Sequence, residues 1–119
     1  TTKNRPADCC LSPIIPMPLP ETTRAATVGV FKALGDATRF EIFRFVAAQE
    51  EPICACDVVD RFQVSQPTIS HHMKVLAEAG LITVSRRGVW AYYAVDLQGL
   101  RQIDSILGSF APPESLVAS

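Results

Sequence analysis

At 119 residues with 48% apolar side chains, the chain can bury one substantial core and leaves little room for a second domain. A formal charge of −1 excludes a globally basic nucleic-acid coat, no apolar run approaches the ~18 residues of a membrane span, and no basic-then-apolar leader opens the chain, so it reads as a cytoplasmic protein with no membrane partner. In a reducing compartment its four cysteines are thiols or metal ligands rather than structural disulfides.

Residues 1–20 carry five of the nine prolines and read as an arm, because Pro13-Ile-Ile-Pro16-Met-Pro18-Leu-Pro20 cannot be helical and favours an extended path. At ~3.1 Å per residue, the ten residues after Cys10 span roughly 30 Å. The vicinal pair Cys9-Cys10 can therefore reach far from the arm's attachment point, onto another subunit included. A main domain is expected over residues 21–111 and a tail over 112–119, beginning at Pro112-Pro113.

A first helix is predicted from about Thr22 to Leu34, with Val28, Phe31 and Leu34 at helical spacing and Gly35 closing it. Asp36 then caps a second helix from Ala37 to about Ala48, whose apolar stripe is Phe40, Phe43 and Ala47 beside Ile42 and Val46. Glu50-Glu51-Pro52 breaks the chain. The third helix begins near Cys54 or Ala55 and shows Ala55, Val58, Val59 and Phe62 at i, i+3, i+4, i+7.

The stretch from Ser65 to Gly80 has signals at both ends. Ser65 is a good N-cap, Pro67 sits where its missing N–H does no harm, and Gly80 can take the left-handed conformation that ends a helix. Ile69, His72, Met73 and Leu76 form a buried stripe, which makes His72 a core histidine. Pro67, His71, Lys74 and Glu78 occupy the other face, flanked by Thr68 and Ser70. Alone this also fits an ordinary surface helix. Following the third helix after two or three residues, it reads as the recognition member of a helix-turn-helix.

After Gly80 the period changes to two. Ile82 and Val84, then Val89, Ala91, Tyr93 and Val95, alternate around Arg86-Arg87-Gly88, predicting a two-stranded hairpin with a basic tip. Asp96 caps a last helix with Leu100, Ile103, Leu107 and Phe110 on one face, suited to closing the monomer or pairing with a second copy. The fold class is thus mainly α with a small β-hairpin, a winged helix-turn-helix, and a dimer is expected. Between Asp60 and Asp96 the only acid is Glu78, against Arg61, Lys74, Arg86 and Arg87, so this third of the chain is locally basic.

Double-stranded DNA is the partner this arrangement suits. Gln66, Thr68 and His71 are candidates for base edges, and Ser65, Ser70 and Lys74 for phosphates, with Ser65 equally a cap. Arg86 and Arg87 suit the backbone or minor groove, or a solvated turn. Cys54-Ala-Cys56 at a helix N-terminus is chemically pointed, since the dipole and free N–H groups favour thiolate, a soft-metal ligand. Two small residues buried at a helix start is the alternative.

Phe31-Lys-Ala-Leu-Gly-Asp-Ala-Thr-Arg39, Ile53-Cys-Ala-Cys-Asp-Val-Val59, Ser65-Gln-Pro-Thr-Ile-Ser-His-His72 and Gly88-Val-Trp-Ala-Tyr-Tyr93 resemble the successive signatures of the ArsR/SmtB metalloregulatory repressors. The resemblance covers about residues 25–110. It implies a homodimeric repressor that holds an inverted-repeat operator and lets go when a toxic ion binds. It also implies Cys54 and Cys56 as ligands, joined by Cys9 and Cys10 from the arm: three thiolates for arsenic(III) or antimony(III), four for cadmium(II) or lead(II). Members that sense zinc through the last helix carry Asp-x-His at its start. Here Gln98 follows Asp96 two residues on and no histidine follows His72, so a nitrogen-rich site there is not expected.

Three rival readings use the same residues differently. A redox-switched repressor of the same fold would oxidise the thiols. A small thiol enzyme fits poorly, because Cys-x-Cys lacks both the Cys-x-x-Cys spacing and a following βαβ pattern. A constitutive architectural DNA binder is disfavoured by the near-neutral charge.

Overall fold

The computed structural model describes residues 12–110. Cys9, Cys10 and the tail 112–119 lie outside the described residues. In chain order the elements are α1 (Glu21–Leu34), α2 (Ala37–Ala47), β1 (Ile53–Cys54), α3 (Ala55–Phe62), α4 (Gln66–Glu78), β2 (Ile82–Arg87), β3 (Trp90–Val95) and α5 (Leu97–Gly108). Residues 12–20 carry no regular secondary structure, as their prolines dictate. Among the described residues no helix is long and apolar enough to cross a membrane.

Local chemistry sets the helix ends. The Asp36 carboxylate accepts from the Arg39 backbone N–H at 2.9 Å, and Asp96 does the same for Gln98 at 2.9 Å, so both acids cap as expected. Gly80 is left-handed at φ +79. Its N–H donates to the Ala77 carbonyl while Leu81 N–H donates to that of Leu76, the pair of hydrogen bonds that closes a helix on a glycine. Gly35 closes α1 as expected, its N–H reaching the Lys32 carbonyl at 3.2 Å. It keeps a right-handed helical φ of −81, and the break before α2 is made by the extended backbone of Asp36 at φ −95, ψ 127.

The core gathers Val30 and Ala33 of α1, Ile42, Phe43 and Val46 of α2, Val58 of α3, the Ile69-Met73-Leu76 stripe of α4, Leu81 just before the sheet, and Ile82 and Tyr93 within it. Two expected stripes are displaced. In α1 the buried residues are Val30 and Ala33, whereas Val28 and Phe31 are each 44% exposed; in α2, Phe40 is exposed and Ile42 takes its place. Helical periodicity found the helices but could not choose between two apolar faces of one helix. The outward face of α1, with Leu107 and Phe110 at the end of α5, leaves large apolar side chains in solvent.

The sheet has three antiparallel strands in the order β1-β3-β2, one more than expected. Ile53 and Cys54 pair with Tyr93 and Tyr92, too short a run to show alternation in sequence. The hairpin turns over Gly88-Val89, with Gly88 at φ +65, so Arg86 and Arg87 are the last residues of β2 rather than the turn itself. At the other end, α5 packs its buried Gly99 directly on the Gly80-Leu81 backbone, where a Cβ would collide with the Gly80 carbonyl oxygen.

Candidate functional site

The helix pair α3–α4 is joined by Gln63-Val64-Ser65, with Gln63 in the left-handed region at φ 58, which makes the sharp turn between them. At the start of α4 the Ser65 hydroxyl accepts from Thr68 N–H at 3.4 Å and lies 2.8 Å from the Thr68 hydroxyl. Ser65 is therefore a cap, and its oxygen keeps a lone pair for further contact. Gln66, Thr68, Ser70, His71 and Lys74 are all exposed, and the opposite stripe is buried, so α4 presents the polar face the spacing predicted.

His72 is buried among the core residues. An Arg39 guanidinium nitrogen lies 3.2 Å from its Nδ1. A guanidinium can only donate, so Nδ1 holds the lone pair and the ring is neutral. Burial is the main cause that depresses the ring's pKa below its ordinary value, and the Arg39 charge adds to it against the opposing pull of Asp36. The same arginine donates to the Ala33 carbonyl at 2.6 Å and the Lys32 carbonyl at 3.3 Å. One side chain of α2 thus ties the C-terminal end of α1 to the recognition helix.

Arg86 and Arg87 stand opposite Ala91 and Trp90, so strand alternation sends them to opposite faces of the hairpin. Arg87 lies 4.6 Å over the Tyr92 ring. Arg86 turns toward α4, on the face shared with Val84, Ala91 and Tyr93. Both are exposed.

Cys54 ends β1 and caps α3. Its backbone N–H donates to the Asp57 carboxylate at 3.3 Å, and its sulfur accepts from Cys56 N–H at 3.3 Å. The Cys56 thiol donates to the Cys54 sulfur at 2.6 Å. Cys54 is buried and Cys56 exposed, which gives the pair one anchored and one accessible sulfur. The expectation that the helix N-terminus favours thiolate does not hold at Cys56. Donation to the Cys54 sulfur is the chief cause that pushes its thiol pKa up, with burial next, outweighing the lowering by the Asp57 backbone N–H. Among the described residues no three potential metal ligands are grouped closely enough to share an ion.

A family model described as a helix-turn-helix domain matches residues 34–85. An arsenical resistance operon repressor of Staphylococcus xylosus is 38% identical over 78 residues, which cover 66% of this chain and 73% of that protein. The chain belongs to the ArsR family of transcriptional repressors. An ArsR-like transcriptional regulator from Rhodococcus sp. RHA1 superposes with a TM-score of 0.65 at 27% identity, over 74% of this chain and 81% of that one. A homodimeric winged helix-turn-helix domain of Mycobacterium bovis shares the fold with a TM-score of 0.61 at 18% identity, covering 74% and 80% of the two chains.

In this ArsR-family repressor, a DNA-binding winged helix-turn-helix protein and not an enzyme, the thiol pair opens onto a cavity of about 700 Å³ between the start of α3, one side of α4 and the β2–β3 hairpin. Sequence reasoning missed four contributors. Arg39 lies three residues past the Gly35-Asp36 pair and ends a quoted signature, but nothing in one sequence shows that it reaches two other helices. Asp57 was visible three residues after Cys54 as an acid in a capping position. Trp90 and Met73 line the cavity from elements whose adjacency only the tertiary fold creates.

Proposed function

We propose that this repressor binds an inverted-repeat operator as a homodimer and releases it when a thiophilic ion, arsenic(III) or antimony(III), is captured by cysteine thiolates. The observation that carries this is the Cys54–Cys56 sulfur pair, 2.6 Å apart at the first turn of α3, one helix upstream of the DNA-reading α4. Gln66, Thr68 and His71 read base edges. Ser65, Ser70 and Lys74 hold phosphates, and Arg86 and Arg87 carry the wing onto the backbone or minor groove. Helices α1 and α5 lie against each other, and their exposed apolar residues supply the dimer face. A solved winged helix-turn-helix domain of Mycobacterium bovis that shares this fold is described as homodimeric.

Cys9 or Cys10 supplies the third donor, which the described residues around Cys54 and Cys56 do not. Capture requires both thiols to lose their protons, and the raised Cys56 pKa makes that proton release part of the ion's binding equilibrium. Four thiolates would equally suit cadmium(II) or lead(II), which share the preference for sulfur. Displacement of α3 by the bound ion moves α4 with it, because the two share a three-residue turn and the Val58–Ile69 core.

Fluorescence-anisotropy titration of an operator duplex tests this. Arsenite, antimonite, cadmium, lead and zinc are each added to wild type and to the four Cys→Ser single variants. Release by arsenite that is lost in Cys54→Ser and Cys56→Ser supports the proposal, and arsenite release that survives Cys54→Ser places the site elsewhere. Release by peroxide but by none of the ions would show an oxidised thiol pair instead.

A further inference from the structure

We propose that Val89, at the apex of the wing, selects the base pair beneath it in the minor groove, its isopropyl group accepting A·T and rejecting G·C. The inference rests on the reading of Arg86 and Arg87 as wing contacts to DNA. It adds a source of sequence preference that their charges do not supply.

Val89 is 87% exposed, with Trp90 beside it at 55%, so the apex is apolar and unpacked. The turn does not account for a valine. Gly88, at φ +65, is the residue of the loop that needs glycine, and small polar side chains are the usual company for it. The direction of the apex is informative. Val89 borders the same cavity mouth as Arg86 of the wing and Gln66, Ser70 and Lys74 of α4, so it lies on the side of the hairpin that meets DNA docked on the recognition helix.

The hairpin is a firm support for such a contact. Cross-strand pairs run without a break from Ile82–Val95 to Arg87–Trp90, and Ile82 and Tyr93 are buried in the core. A β-branched side chain adds little rotamer freedom of its own. Arg86 and Arg87 leave the strand on opposite faces just before the apex, and Arg87 is held over Tyr92. This sends one guanidinium toward each phosphate wall of a groove about 6 Å wide, with Val89 between them toward its floor.

On that floor G·C differs from A·T by one donor, the guanine 2-amino group. Against G·C the isopropyl group excludes water from this donor and offers no acceptor in return, which leaves a buried N–H unpaired. Against A·T no such donor is present. Being uncharged, Val89 gives a discrimination that salt does not weaken, unlike the attraction of arginine for a narrow A·T-rich groove.

The test uses the full chain and operator duplexes altered symmetrically, one purine position at a time. Replacing adenine with 2,6-diaminopurine adds the minor-groove amino group, and replacing guanine with inosine removes it; both leave the major-groove edge unchanged. Fluorescence anisotropy reads affinity at two salt concentrations. At one position of each half-site the amino group should weaken wild-type binding about tenfold, equally at both salts. In Val89→Ser, whose hydroxyl can accept from the amino group, the same change should cost less than about threefold. Arg87→Gln should weaken binding to every duplex and flatten the salt slope while keeping the discrimination. Wild-type binding indifferent to the amino group at every position, or a penalty that persists in Val89→Ser, overturns the inference. Affinity unchanged in Arg86→Gln, Arg87→Gln and Val89→Ser alike takes the wing off the DNA and overturns the underlying reading with it.

Discussion

Replacing Arg39 with methionine removes a side chain of α2 that hydrogen-bonds to both α1 and α4, and its cost can be worked from three contacts. The guanidinium donates to the Ala33 carbonyl at 2.6 Å, the His72 ring at 3.2 Å and the Lys32 carbonyl at 3.3 Å. Hydrogen bonds from a charged donor contribute about 1.5–3 kcal/mol each when well made, and the 3.3 Å contact on the exposed edge adds little. Methionine restores some of the apolar packing of the arginine stem but leaves the Nδ1 of a buried histidine without a donor. The expected loss is about 2–4 kcal/mol, a large share of the ~5–15 kcal/mol that holds a domain of this size. Thermal unfolding followed by circular dichroism should show the midpoint falling by roughly 10–20 °C. Arg39→Lys should recover less than half of the loss, because an ammonium cannot span the three acceptors of a fork. Operator affinity measured well below the variant's midpoint should also fall, since the orientation of α4 rests partly on His72. A stability within about 0.5 kcal/mol of wild type would refute the reasoning, showing that water replaces these contacts without loss.

The neutral His72 makes stability depend on pH. Its folded pKa lies below the ordinary 6.5, so the unfolded chain binds the proton more tightly, and stability present above that value is lost as pH falls through it toward the folded pKa. Urea unfolding across pH 5 to 8 should show that slope in wild type and a flatter one in His72→Gln. Asp36, whose carboxyl is lowered chiefly by the Arg39 backbone N–H, adds a second loss as pH falls below its ordinary 3.8, which Asp36→Asn should remove. Gly99→Ala drives a methyl into the backbone of Gly80 and Leu81, where no flexible side chain can yield, and should cost about 2–4 kcal/mol by the same unfolding measurement. Lys74→Ala should lower operator affinity for all sequences alike and reduce the salt slope of binding by about one per protomer, whereas Gln66→Ala should relax base preference with little change in slope.

The recognition helix was legible from Ser65 to Gly80 because cap, stripe and terminal glycine all reported the same segment. His72 belonged to the core by spacing alone, and the fold places it there. Where two apolar faces compete on one helix, as in α1, periodicity cannot say which face the monomer buries and which it leaves exposed at Val28 and Phe31. Strand β1 was invisible because two residues show no alternation, and its pairing with β3 joins Cys54 to the wing across 38 residues of chain, since Cys54 stands opposite Tyr92. The thiols themselves stood out in the sequence. Their mutual hydrogen bond, which reverses the expected pKa shift at Cys56, depends on a sulfur-to-sulfur distance that no spacing rule supplies.

In the proposed mechanism ion capture at Cys54 and Cys56 is coupled to operator binding by α4, and coupling between two sites is reciprocal. The most direct test is therefore the affinity of the dimer for arsenite, measured by competition against a thiol-reactive chelator, with and without saturating operator duplex. Operator should weaken arsenite binding by the same factor by which arsenite weakens operator binding. Equal arsenite affinity in the two conditions, alongside operator release by arsenite, would contradict it.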